Sequence, residues 1–163
     1  MTCSFHLVDD LKNARSELLT ACQDVPDADL RRRPSIGSGQ QSAWAIIELL
    51  AHLPDVDRYY LSEAKKLRDT PGARFVYFDE EAWARANPGA IERDAHGVRL
   101  AMAQAHEEVV RWARGLTPEE LDRAGGHPQR ESITVRELVQ RIAGHDRGHA
   151  EQARAIRRTL HSE

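Results

Sequence analysis

The stretch Thr134-Val135-Arg136-Glu137-Leu138-Val139-Gln140-Arg141-Ile142-Ala143-Gly144-His145-Asp146-Arg147-Gly148-His149, continued to Leu160, decides how this chain is read. Thr134 and Glu137 have capping-box spacing, and Leu138, Ile142, Ala153, Ile156 and Leu160 recur at intervals of three and four. Together they predict one long amphipathic helix from Thr134 to Leu160. Counting inward from Leu138 and Ile142, the next two positions on the stripe are His145 and His149, followed by Gln152 and Ile156. Two imidazoles four residues apart on one helical face can reach a single point, which is the spacing that metal-binding helices use. A third ligand must then come from elsewhere in the chain.

Working outward, 163 residues are enough for a single domain, 1–163, with a core that needs no disulfides. Cys3 and Cys22 have no metal-binding spacing, and two isolated thiols fit a reducing compartment. The start Met1-Thr2-Cys3-Ser4 lacks a signal-peptide pattern, and the most apolar run, Ile46 to Leu53, is interrupted by Glu48 and His52. These features predict a cytoplasmic protein with no membrane partner. Charged residues make up 30% of the chain but nearly cancel, to a net charge of -3, so no basic field exists to hold nucleic acid. The run Arg31-Arg32-Arg33-Pro34 reads as a solvated loop after a helix.

The first helix is expected from Ser4 to Cys22, burying Val8, Leu11, Leu18 and Cys22 and leaving Asp9, Lys12, Arg15 and Glu17 to water. A short turn follows at 27–33, then a loop over 34–39. The second helix is expected from an N-cap at Ser42 to about Arg68, with a kink or break near Pro54. The connection from Ala73 to Ala90 is long and aromatic, and Asp79 should cap a short helix over 79–85. The third helix is expected from Ile91 to Arg114, ending at Gly115, with one capped turn at Thr117-Pro118 and a loop at 125–128. No period-two alternation marks a strand. Four amphipathic helices bury their stripes most simply as an all-α four-helix bundle.

On the second helix, His52 shares a face with Glu48, Asp55 and Tyr59. If that helix lies beside the last one, His52, His145 and His149 form a three-histidine set suited to Zn or Ni with a position open to a small-molecule substrate. Glu48, Asp55 and Gln152 are then the groups placed to accept the ligands' remaining N–H bonds. Gly144 and Gly148 weaken the helix and suggest a close approach there, from tight packing or a second copy.

The segments Trp44 with His52-Leu53-Pro54-Asp55, Asp79-Glu80-Glu81-Ala82-Trp83, Leu116-Thr117-Pro118-Glu119-Glu120-Leu121 and Ile133-Thr134-Val135-Arg136-Glu137-Leu138 leading to His145-Asp146-Arg147-Gly148-His149 together resemble the DinB-like family, which includes YfiT-type proteins. The resemblance implies a four-helix bundle, commonly a homodimer, with a divalent metal held by one histidine of the second helix and two of the last. Those positions fall on His52, His145 and His149. It also implies, as the preferred activity, transfer of a low-molecular-weight thiol such as bacillithiol or mycothiol to a small electrophile. The alternatives are metal-dependent hydrolysis of small esters or amides, and a non-catalytic stress-response domain with a structural metal. Two residues depart from the pattern: Pro54, where alanine is more usual, and His106, where relatives often carry arginine.

Overall fold

The computed structural model describes residues 2–34 and 44–162. In chain order its elements are helices α1 (Thr2–Ala21), α2 (Asp27–Leu30), α3 (Ile46–Asp69) and α4 (Glu80–Ala86), a 3-10 turn at Ala90–Glu92, helices α5 (Ala95–Arg114) and α6 (Pro118–Leu121), strands β1 (Ala124–Gly126) and β2 (Ser132–Thr134), and helix α7 (Val135–Leu160). Helix α7 packs against α1 and α3, and α5 packs against α3 and α1. Helices α1 and α3, though consecutive among the long ones, therefore lie diagonally across a four-helix bundle. This order puts α3 beside α7, the adjacency a three-histidine set requires.

The caps explain most helix ends. Thr134 Oγ1 accepts from Glu137 N at 3.2 Å, and the Glu137 carboxylate accepts from Thr134 N at 2.7 Å. Thr117 and Glu120 repeat this arrangement at α6. Helix α5 starts at Ala95 rather than Ile91, because Asp94 caps it by accepting from Gly97 N at 2.6 Å and residues 90–92 form a separate turn. The N-cap expected at Ser42 lies outside the described residues. Pro54 does not break α3, which is continuous through it, and the carbonyl of nearby Ala51 accepts from Arg93 Nη1 at 3.3 Å.

The absence of strands needs correction. Strands β1 and β2 pair antiparallel, Ala124 with Thr134 and Gly126 with Ser132, and Arg74 bridges to Gly126. Three residues, two of them glycine, are too few to carry an alternating pattern. A side chain on Gly125 would stand 2.2 Å from Ala73 O, so only glycine lets the connection after α3 come this close. The basic run is exposed at Arg32 and Arg33, as a solvated loop should be, but it is also tethered: Arg31 pairs with Asp27 and reaches Ile91 O and Arg93 O, and Arg33 pairs with Glu48.

Two apolar clusters fill the bundle. One gathers Leu7, Leu11, Val56, Leu67, Val109, Leu138 and Ile142, and the other Leu18, Ile46, Leu50, Leu53, Met102, Ala153 and Ile156. Between them the helices place charge. Arg15, expected in water, is 6% exposed, and its guanidinium donates to Asp57 Oδ2 at 2.8 Å, Asp146 Oδ2 at 2.9 Å and Met102 O at 3.2 Å. One side chain of α1 thus ties α3, α5 and α7 at the waist of the bundle. Its position, four residues after Leu11 and three before Leu18, is on the apolar stripe; the charge disguised it.

Candidate metal centre

His52 and His149 project from the adjacent faces of α3 and α7, with His145 one turn before His149. Their rings converge: centroids lie 4.7 Å apart for His52 and His149, 5.4 Å for His52 and His145, and 4.3 Å for His145 and His149. The two Nε2 atoms of His145 and His149 are 3.2 Å apart. Two nitrogens each about 2.1 Å from a tetrahedral ion would lie roughly 3.4 Å from one another, close to this spacing.

A fourth group joins them that the sequence reading did not assign. Glu80, on the first turn of α4, places Oε1 2.9 Å from His145 Nε2, and one ligand atom from each of His52, Glu80, His145 and His149 lies within 4.8 Å of every other. Helix α4 is held in place by its cap, where Asp79 accepts from Ala82 N at 2.8 Å, and by Trp83, whose Nε1 donates to Asp55 at 2.7 Å. The signal for Glu80 was a capped, acid-fronted helix inside an aromatic connection. The pattern alone does not separate it from Glu81, whose side chain is exposed.

The residues fit a divalent cation on a specific observation: His52 Nε2 is fully buried with no hydrogen-bond partner among the described residues. Leaving such an atom unsatisfied in a dry core is costly unless a ligand takes its lone pair. His52 Nδ1 donates to Leu49 O at 2.7 Å, which leaves the lone pair on Nε2, facing the other two rings. Burial, followed by the nearby His149 and His145, lowers the His52 pKa to about 3. Burial and His145 lower that of His149 to about 4. Both rings are therefore neutral, the form that binds metal. The hydrogen bond from His145 holds the Glu80 pKa below the usual carboxylate value, so Glu80 is ionised.

The sequence profile of the DinB superfamily matches residues 10–153. The chain belongs to the DinB superfamily. Its fold is similar to that of YfiT from Bacillus subtilis, described as a probable metal-dependent hydrolase with an unusual four-helix bundle topology; the TM-score is 0.78 at 18% identity, over 96% of this chain and 87% of that one. No curated protein matches the chain. Among the described residues no helix is long and apolar enough to cross a membrane.

In this DinB-superfamily chain the expected supporting contact is made by Gln152 but not by Glu48 or Asp55. Gln152 Oε1 accepts from His149 Nδ1 at 3.0 Å. Neither Glu48 nor Asp55 takes the His52 hydrogen, because the Leu49 carbonyl, one turn back on the same helix, already does. Glu48 instead accepts from Ala45 N at 2.9 Å and pairs with Arg33 at 2.7 Å. Asp55 acts one residue removed: it anchors Trp83, whose ring packs on His52 at 5.6 Å, while Trp44 covers another edge at 5.1 Å. Tyr59 donates to the carbonyls of Val76 and Tyr77, away from the cluster.

A cavity of about 630 Å³ opens on the cluster, lined by Glu80, Glu137, Gln140, Arg141, Gly144, His145, Gly148, His149 and Gln152. Gly144 and Gly148 do not mark close packing within the chain. Among the described residues a Cβ on either would meet nothing within 4 Å, and both glycines line the cavity with bare backbone.

Proposed function

We propose that this protein is a metal-dependent hydrolase of small esters or amides, with a divalent cation held by His52, His145 and His149. The observation that carries the reading is Glu80: an ionised carboxylate placed beside the three histidines where they face an open cavity. A divalent ion there supplies Lewis acidity, polarising a carbonyl and lowering the pKa of water or a thiol. Glu80 Oε1, 2.9 Å from His145 Nε2, is positioned to take a proton from a nucleophile brought to that point and to return it to a leaving group. Trp44 and Trp83 exclude water from the His52 side and fix its ring. Gln152 orients His149. A metal serving only to join α3 to α7 would need no cavity beside the histidines and no carboxylate at their edge.

Thiol transfer, with bacillithiol or mycothiol as the thiol, is the second reading. The cavity volume favours it, being large enough for a thiol and an electrophile side by side. Cys22 cannot supply the thiol, since it is buried in the second apolar cluster and burial pushes its pKa up to about 11.

The test is to strip the protein with a chelator, restore Zn²⁺ or Ni²⁺, and assay small esters and amides with and without added thiol. Hydrolysis that returns with the metal, and falls by about 10²–10⁴ in Glu80→Gln while that variant retains metal, is the expected result. Turnover only in the presence of thiol would replace hydrolysis with transfer. A metal-loaded protein whose Glu80→Gln variant is unimpaired would sink the role given to Glu80.

A further inference from the structure

We propose that the cavity selects substrates carrying a carboxylate, which Arg141 binds while the reacting carbonyl sits at the histidines; this rests on the metal-dependent reading above. Arg141 lies four residues before His145, so the two side chains share one face of α7 about 6 Å apart along its axis. Both line the same cavity. The guanidinium is held in place without being neutralised. It lies over the Tyr77 ring at 4.5 Å and the Tyr60 ring at 5.6 Å, and Nε donates to Tyr60 Oη at 3.3 Å. Among the described residues Arg141 forms no ion pair, whereas Glu137 on the same wall pairs with Arg130.

Glu137 pairs with Arg130 at 2.9 Å and caps α7, and Glu80 bonds to His145. The remaining wall is the amides of Gln140 and Gln152 and the bare backbone at Gly144 and Gly148. An aromatic shelf that presents a guanidinium whose outer N–H groups have no partner among the described residues is suited to a planar carboxylate, which takes two parallel hydrogen bonds. The short distance to His145 limits the spacer between the carboxylate and the reacting group to a few atoms. Small monocarboxylate amides and esters fit this description, and large apolar esters do not.

The test uses two metal-chelating probes on the Zn-loaded protein, acetohydroxamate and its carboxylate-bearing analogue N-hydroxysuccinamate, with Kd measured by calorimetry. The carboxylate should tighten binding about tenfold, and Arg141→Gln should erase that gain while leaving the acetohydroxamate Kd unchanged. Arg141→Lys should recover part of the gain, and raised salt should reduce it in the native protein. Equal binding of the two probes, or a gain that survives in Arg141→Gln, overturns the role of Arg141 and leaves the metal centre standing. Failure of the protein to take up Zn removes the metal centre and this inference with it, whereas Zn uptake with neither probe bound overturns this inference alone.

Discussion

Two polar clusters share the middle of this bundle, and they are built on opposite principles. In the first, Arg15 meets Asp57 and Asp146 in an ion triad where every charge has a partner and nothing opens to solvent. Burial works against the Arg15 charge, but the two carboxylates outweigh it. Burial, with Asp146 adding repulsion, pushes the Asp57 carboxyl up to about 6 despite Arg15. In the second, three imidazole rings crowd around one point beside Glu80, His52 Nε2 has no partner among the described residues, and the group faces a cavity. The triad is internally satisfied and joins helices. The histidine cluster is incomplete in itself, which is the physical signature of a site that binds something. Asp146 belongs to one cluster and its sequence neighbour His145 to the other, so α7 serves both through adjacent faces.

The contrast can be broken most forcefully at Arg15. Arg15→Met leaves two buried carboxylates without a counter-charge and should cost about 3–5 kcal/mol of unfolding free energy in denaturant titration. Adding Asp57→Leu and Asp146→Leu should recover most of it, because the triad then disappears as a unit. Recovery failing, or Arg15→Met proving neutral, would mean that the triad does not fasten the helices.

At the other cluster the effects should reverse. His52→Leu removes a ligand and an unsatisfied atom together, so zinc affinity should fall by at least about a hundredfold while metal-free stability shifts by less than about 1.5 kcal/mol. A large loss of metal-free stability would instead identify His52 as a structural core group.

Acid sharpens the same distinction. His52, with a pKa of about 3, and His149 and His106, each with about 4, remain neutral in the fold, whereas in the unfolded chain each titrates near 6.5. The unfolded chain therefore binds more protons below pH 6.5, and metal-free stability should fall as pH drops from 6.5 toward 4, by up to about 1.4 kcal/mol per histidine per pH unit. Asp57 opposes this: its raised pKa means the folded state takes an extra proton between about pH 6 and 4, so the net slope should approach that of about two histidines rather than three and be steepest between about pH 5 and 6. Stability rising on acidification from pH 6.5 would contradict the neutral histidines.

The smallest effect is expected at Gly144→Ala. With open space at its Cβ, the substitution should gain up to about 1 kcal/mol of helix stability, read as a higher melting temperature, and it should narrow the cavity. Destabilisation would show that the backbone there is in close contact after all.

Much of this architecture was legible in the sequence. The capping box at Thr134 and Glu137 and the stripe from Leu138 to Leu160 located α7 and turned His145 and His149 inward, and the polar face around His52 supplied a third histidine. What escaped depended on groups far apart in the chain. Arg15 reads as solvent-facing until Asp57 and Asp146, supplied by other helices, neutralise it. Glu80 is one of two adjacent acids until the docking of Trp83 against Asp55 fixes which one turns inward. The outer partner of His52 is a backbone carbonyl, and no side-chain pattern can announce that.

The most direct test of the central claim is zinc titration of the metal-free protein by calorimetry, run beside His52→Ala and His149→Ala. The account predicts one zinc bound per native chain and none in either variant. No uptake by the native protein, or unchanged uptake in both variants, would contradict it.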